Sequence, residues 1–259
     1  MNRATALQVG TLARRSIVRT LRQPAMVVPA LFFPLLLLAV NAGGLQRATD
    51  LPGFPADHYL DFVLAVCFVQ GGLFAANSAG TNVANDIETG FLNRLSLTPL
   101  RKTALLMGQL AGVLALGLIQ AVTFLVVGAI AGEGIHAGVA GALVIVALAL
   151  LISLGFGSIG AFVALRTGSG EAVQGIFPLM FAALFLSSMA LPRNLIETDW
   201  FREVATWNPV SYMLEGIRSL VITGWDGEAL ALGFACAGGV ALIALVAAAA
   251  ALRTQMVRT

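Results

Sequence analysis

The chain has 259 residues, of which 58% are apolar and 11% charged, and its net charge is +2. Soluble domains carry about 25% charged residues, so this chain lacks the polar surface a soluble fold needs. Disorder, which requires low hydrophobicity and high charge, is excluded by the same figures. The composition is that of an integral membrane protein, without the basic patch that would track nucleic acid.

The first 23 residues are basic and partly amphipathic. Ile17, Val18 and Leu21 share one helical face beside Arg15, Arg19 and Arg22. This pattern predicts a helix on the inner membrane surface with its arginines toward anionic headgroups. The uncharged run that follows is longer than the usual core of a secretory signal, about 7–15 residues, so it reads as a retained first span.

A charge at the bilayer centre costs about 2.5–3.5 kcal/mol, so runs without Asp, Glu, Lys or Arg mark candidate spans. Six such runs occur, at 23–46, 62–85, 103–132, 134–165, 172–192 and 229–252. Each suits a helix of about 20 residues across a ~30 Å hydrocarbon layer. Their continuous apolarity argues against a barrel. The expected fold is an all-α membrane protein of six transmembrane helices, with both termini on one side. That side holds eleven of the fifteen Lys and Arg residues, and the other holds ten of the thirteen acids. The positive-inside rule then makes both termini cytoplasmic. Trp200, Trp207, Trp225, Tyr59 and Tyr212 fall in the outer segments, where amphipathic rings anchor at the headgroups.

Two segments between spans carry helical patterns. In 85–102, Asn85 or Asp86 can cap a helix and Glu88 suits its first turn. Ile87, Phe91, Leu92 and Leu95 follow at helical spacing, and Pro99 ends the pattern. This predicts a short amphipathic cytoplasmic helix. In 193–228, Asn208 caps a helix that Pro209 begins, with Val210, Met213, Leu214, Ile217 and Leu220 along one face. The helix over 209–221 is too short to span, and either lies on the outer surface or re-enters the membrane. Glu215 and Arg218, three apart, can pair on its polar face.

Chemistry is sparse. No apolar run has an ionisable residue near its middle, which argues against proton coupling or catalysis within the membrane. Two cysteines and two histidines, all far apart, suggest no metal centre. Gly108/Gly112, Gly128/Gly132 and Gly134/Gly138 are GxxxG pairs that can bring helices close. The only lysine, Lys102, follows Arg101, so the chain has no P-loop and any ATP hydrolysis belongs to another subunit.

Three stretches in order resemble the ABC-2 type exporter permeases, particularly the daunorubicin-resistance-like branch. They are RSIVRTLRQPAMVVPALFFP (15–34), DIETGFLNRLSLTPLR (86–101), and FLSSMALPRNL leading into WNPVSYMLEGIRSL (185–220). Asn93 stands where the family often has a second Glu. The resemblance implies one transmembrane domain over 1–259. Its parts are a connecting helix (1–23), the first two spans (24–84), a coupling-helix loop (85–102), three spans (103–192), an outer helical segment (193–228), the last span (229–252) and a tail (253–259).

It also implies partners: two ABC ATPase subunits carrying ATP and Mg, a second permease copy or paralogue, and membrane lipids. No cofactor is expected on this chain. Coupling to the ATPase would use Asp86, Ile87, Glu88, Thr89, Gly90, Phe91, Asn93, Arg94 and Leu95. The connecting helix would use Arg14, Arg15, Val18, Arg19 and Arg22. A substrate path at the dimer interface would use Phe32, Phe33, Phe68, Gln70, Phe74, Asn77, Phe177, Phe181 and Phe185. That lining suits a hydrophobic or amphiphilic substrate such as a drug, lipid or glycolipid. The outer helix contributes Asn208, Pro209, Glu215 and Arg218. The expected function is an exporter permease in the cell (inner) membrane. The competing readings are an ATP-independent carrier or channel, and a non-transporting assembly subunit.

Overall fold

A computed structural model describes residues 3–91, 94, 102–132 and 134–255. Among these residues there is no strand. In chain order the helices are α1 (Arg3–Leu21), α2 (Pro24–Gly44), α3 (Tyr59–Glu88), α4 (Lys102–Ala131), α5 (Gly138–Thr167), α6 (Gly170–Phe185), α7 (Asp199–Trp207), α8 (Pro209–Arg218) and α9 (Gly227–Gln255). A π turn, Ser219–Thr223, follows α8.

Among the described residues, five helices are long and apolar enough to cross a membrane: α2, α3, α4, α5 and α9. The fifth expected span departs from the sequence reading. The apolar run 172–192 holds only the 16-residue α6, which stops at Phe185. At 1.5 Å per residue that is about 24 Å of helix, short of a ~30 Å core. Residues 186–192 continue as irregular backbone.

α3 is the centre of the bundle, buried along most of its length, and it packs against α2, α4, α5, α6 and α8. Its contact with α5 is close because Gly160 faces Ala76; a Cβ there would overlap the Ala76 carbonyl oxygen. α1 lies along α4. There the Gly108/Gly112 pair does pack helices: a Cβ on Gly108 would overlap Leu12, and one on Gly112 would crowd Ser16 and Thr20. Gly128 receives Leu64 in the same way, whereas nothing approaches Gly134 or Gly138.

The joints follow local chemistry. Gly168, at φ +70°, ends α5 in the left-handed conformation that favours glycine. Ser169 then caps α6, its hydroxyl accepting from the amides of Glu171 and Ala172. Asn208 caps α8 as expected, with Pro209 in its first turn. The helix ends at Arg218, where the π turn replaces the last residues of the expected 209–221 helix.

α2 contains Pro29 and Pro34. A proline at 34 has no N–H for the carbonyl of Ala30. Gln120 of α4 supplies the missing donor: its Nε2 lies 3.0 Å from the Ala30 oxygen. In lipid such a carbonyl has no water to turn to, so this bond stabilises the proline-interrupted span and ties it to α4.

Candidate functional site

Three groupings concentrate polar or aromatic side chains. The first lies where α1 meets the end of α3. α3 runs on through Glu88, so Asn85 and Asp86 sit in its last turn and do not cap a new helix. Asp86 is buried, with 4% of its surface exposed. Arg15 donates to both its oxygens, at 3.3 and 3.0 Å, and Arg19 to one at 2.7 Å. Gln109 of α4 adds a contact at 3.3 Å. The Ser16 hydroxyl donates to the Gln109 carbonyl at 2.9 Å. The Arg15 guanidinium also stacks 3.7 Å from the Phe91 ring centroid.

This corrects the expectation for α1, because Arg15 and Arg19 turn to a buried carboxylate and not to lipid headgroups. Arg14, Val18 and Arg22 stay exposed. Beyond the joint, Ile87 is half-buried, while Glu88, Thr89 and Arg94 are exposed and Gly90 takes φ +68°. Arg94 donates to the Thr89 carbonyl at 3.1 Å. Asn93 and Leu95 lie outside the described residues.

The second grouping is aromatic. Phe33 of α2, Phe74 of α3, and Phe177 and Phe181 of α6 meet edge to face, with centroids 5.0–6.4 Å apart. Phe185 extends the cluster from Phe181. Gln70, Phe74, Asn77 and Thr81 recur along one face of α3, and Gln70 Oε1, Asn77 Oδ1 and Thr81 Oγ1 have no partner among the described residues. Gln70 and Phe185 border an apolar cavity of about 90 Å³. Two members of the expected path stand apart. Phe68 is buried in the core against Phe124, and Phe32 points outward, 62% exposed.

The third grouping closes the opposite end of the bundle. The expected Glu215–Arg218 pair does not form. Glu215 takes Arg193 in a two-pronged bond at 2.7 and 2.6 Å, and the Arg193 guanidinium sits 4.4 Å from the Tyr212 ring centroid. Burial pulls the Arg193 pKa down, but Glu215 and Tyr212 together more than offset it and the net shift is upward. Arg218 is buried and faces backbone. It donates to the carbonyls of Phe62 at 2.9 Å, Ser188 at 2.6 Å and Met189 at 2.8 Å, and stacks over the Phe62 ring. Burial lowers its pKa to about 9, with Glu215 and Tyr59 opposing, which leaves it protonated at neutral pH.

Asn208 donates to the carbonyls of Ala183 and Leu186, and the Tyr59 hydroxyl to that of Ala190 at 2.8 Å. The irregular stretch after α6 thus has its carbonyls satisfied by side chains of α3, of α8 and of the α8 cap, as backbone away from water requires. Tyr59 is fully buried and is not an interface anchor, whereas Trp200, Trp207 and Trp225 are exposed as expected.

Gln109, Gln120 and Ser188, polar residues within the apolar runs, read from sequence as interhelical contacts and do bond across helices; sequence reading missed Arg193 as the partner of Glu215. Only the i, i+4 placement of Arg15 and Arg19 hinted that both could reach one acid.

Among known proteins, residues 7–222 match the model of a family described as ABC-2 type transporter. A protein of Porphyra purpurea, provisionally named transport permease ycf38, is 26% identical over 222 residues, spanning 85% of this chain and 76% of its own. Proteins of the same name are 25% identical in Pyropia yezoensis, over 82% of this chain and 73% of the relative, and 25% identical in Cyanophora paradoxa, over 81% and 72%.

Proposed function

The chain belongs to the ABC-2 type transporter family, and on that premise we propose that this membrane permease is the transmembrane subunit of an ATP-driven exporter. α6 together with residues 186–192 serves as a fifth crossing in a set of six, and both termini are cytoplasmic. Two such subunits, identical or paralogous, work with two ABC ATPases that carry the nucleotide chemistry.

The observation that carries this reading is the joint at Asp86. It clamps α1 to the inner end of α3, and immediately past it the chain presents Glu88, Thr89 and Arg94 to solvent. A partner pressing on that tip moves α1, α3 and α4 together, because one carboxylate binds all three. Nucleotide-driven closure then shifts the balance between two packings of the spans. The phenylalanine cluster between α2, α3 and α6 is the substrate-facing surface, and its apolar rings with neutral amides suit an amphiphile.

The test is co-purification from mild detergent followed by reconstitution with the ATPase. Glu88→Arg should abolish substrate-stimulated ATP hydrolysis while the chain still inserts and melts normally. Undiminished stimulation would overturn the coupling assignment. A homo-oligomer that transports without any ATPase would overturn the exporter reading.

A further inference from the structure

At the end of the bundle opposite Asp86, a cavity of about 540 Å³ opens between α7, α8, the π turn and the start of α9. We propose that it binds the phosphate headgroup of a net-anionic outer-leaflet lipid. Three arginines line it: Arg193 and Arg218, whose donors are taken by Glu215 and by three carbonyls, contribute charge, and Arg202 contributes donors. Two acids line it as well, and both are engaged. Glu215 is held by Arg193, and Asp226 Oδ1 accepts from the amides of Glu228 and Ala229 at the start of α9. Arg202 pairs with Asp199, but that carboxylate is 90% exposed, so the pair is screened by water and yields readily to a better anion. Arginine offers phosphate a planar fork of donors.

The rest of the lining mixes apolar side chains, Phe62 and Ile222 among them, with the polar Asn194, Thr206, Ser219 and Thr223. The cavity falls in the 300–1,000 Å³ range of small-molecule sites, ample for a headgroup and the start of its acyl chains. α7 argues for lipid over a free anion. Arg202 and Thr206, four apart, face the cavity, while Trp200, Val204 and Trp207 recur at i, i+4 and i+7 and are exposed. Exposed tryptophans on an amphipathic helix settle at headgroup depth, which places the cavity mouth where phosphates lie. The inference rests on the exporter reading only for which leaflet the cavity meets.

The experiment needs neither ATPase nor transport. The full-length chain is placed in phosphatidylcholine nanodiscs containing a minor fraction of phosphatidylglycerol, and retained lipid is counted by native mass spectrometry. Phosphatidylglycerol should be retained selectively. Losing one charge-assisted contact weakens binding about tenfold, so Arg202→Gln should cut that selectivity about tenfold. Thr206→Trp should do the same by filling the cavity from an exposed position without removing charge. Arg47→Gln, an exposed arginine away from the cavity, should leave it intact, and inorganic phosphate should not compete. Equal retention of the two lipids, indifference to Thr206→Trp, or an equal loss with Arg47→Gln would overturn the site. Displacement by inorganic phosphate without lipid selectivity would make it a soluble-anion site and overturn the lipid assignment.

Discussion

Asp86 and Gln120 each resolve a local conflict with one side chain. Asp86 is a carboxylate in a buried place, stabilised by two arginines from another helix. Removing one member of a buried pair strands the others, typically at about 3–5 kcal/mol. Arg15 is 41% exposed, so screening by water brings the cost below that range, and Asp86→Asn should weaken the docking of α1 by about 2–3 kcal/mol. Hydrogen exchange reads this directly: amides of α1 should lose protection while those of α3 and α5 keep theirs. Unchanged protection of α1 would refute the clamp.

Gln120 makes a sharper case because its partner is an orphan created by Pro34. Gln120→Leu should cost about 1–3 kcal/mol of stability by leaving the Ala30 carbonyl unpaired. In a Pro34→Ala background the helix supplies its own donor, and the same substitution should cost much less. Equal costs in both backgrounds, measured by unfolding in detergent, would show that Gln120 acts otherwise.

At the scale of elements, the periodic and capped helices were legible from sequence. Asn208-Pro209 announces α8, and the charge-free runs announce α2, α4, α5 and α9. The errors cluster where a polar group is buried. The rule that a charge ends a span puts Asp86 outside the membrane helix. In fact α3 continues through it, because Arg15 and Arg19 arrive from seventy residues earlier. The i, i+3 rule offered Glu215 to Arg218, since the true acceptors are carbonyls in a stretch with no pattern of its own. The α1–α4 contact could be noticed but not weighed, because many glycine pairs exist and only the fold shows which one meets a helix. That contact is testable. Gly112→Leu should lift α1 from α4 by crowding Ser16 and Thr20, which overpacking arguments put at about 1–3 kcal/mol. Hydrogen exchange reads the displacement: amides of α1 should lose protection with Gly112→Leu while those of α3 keep theirs. Unchanged protection of α1 would show that α4 tolerates the bulk.

The whole molecule divides its polar chemistry between its two ends. The end at Asp86 is a hinge-like joint of charge pairs among α1, α3 and α4. The far end is a lock of guanidinium and amide donors on carbonyls. Between them lies an apolar bundle whose outward faces on α2, α6 and α9 remain uncovered, among them Phe32, Leu179 and Ile243. Lipid or a second copy must cover them. In the exporter reading, movement enters at the first end and is resisted at the second. Arg218→Lys keeps the charge but cannot reach three carbonyls at once. It should loosen residues 186–192, raising the reactivity of a cysteine at Ser187 toward a membrane-impermeant reagent, with α1 unaffected. No change in reactivity would refute the lock.

The lock also constrains how the protein is made. The carbonyls of Ser188 and Met189 receive their donor from Arg218, about thirty residues further along the chain. A nascent chain that has just emitted α6 has a helix too short for the bilayer, followed by backbone whose carbonyls at Leu186, Ser188 and Met189 still lack their donors. That segment cannot settle in lipid on its own merits. It must wait, in the insertion machinery or at the aqueous margin, until α8 has been synthesised. In the six-crossing reading, insertion of the fifth segment is therefore a late, cooperative event, and a chain truncated before Arg218 should leave it accessible to protease where the complete chain does not.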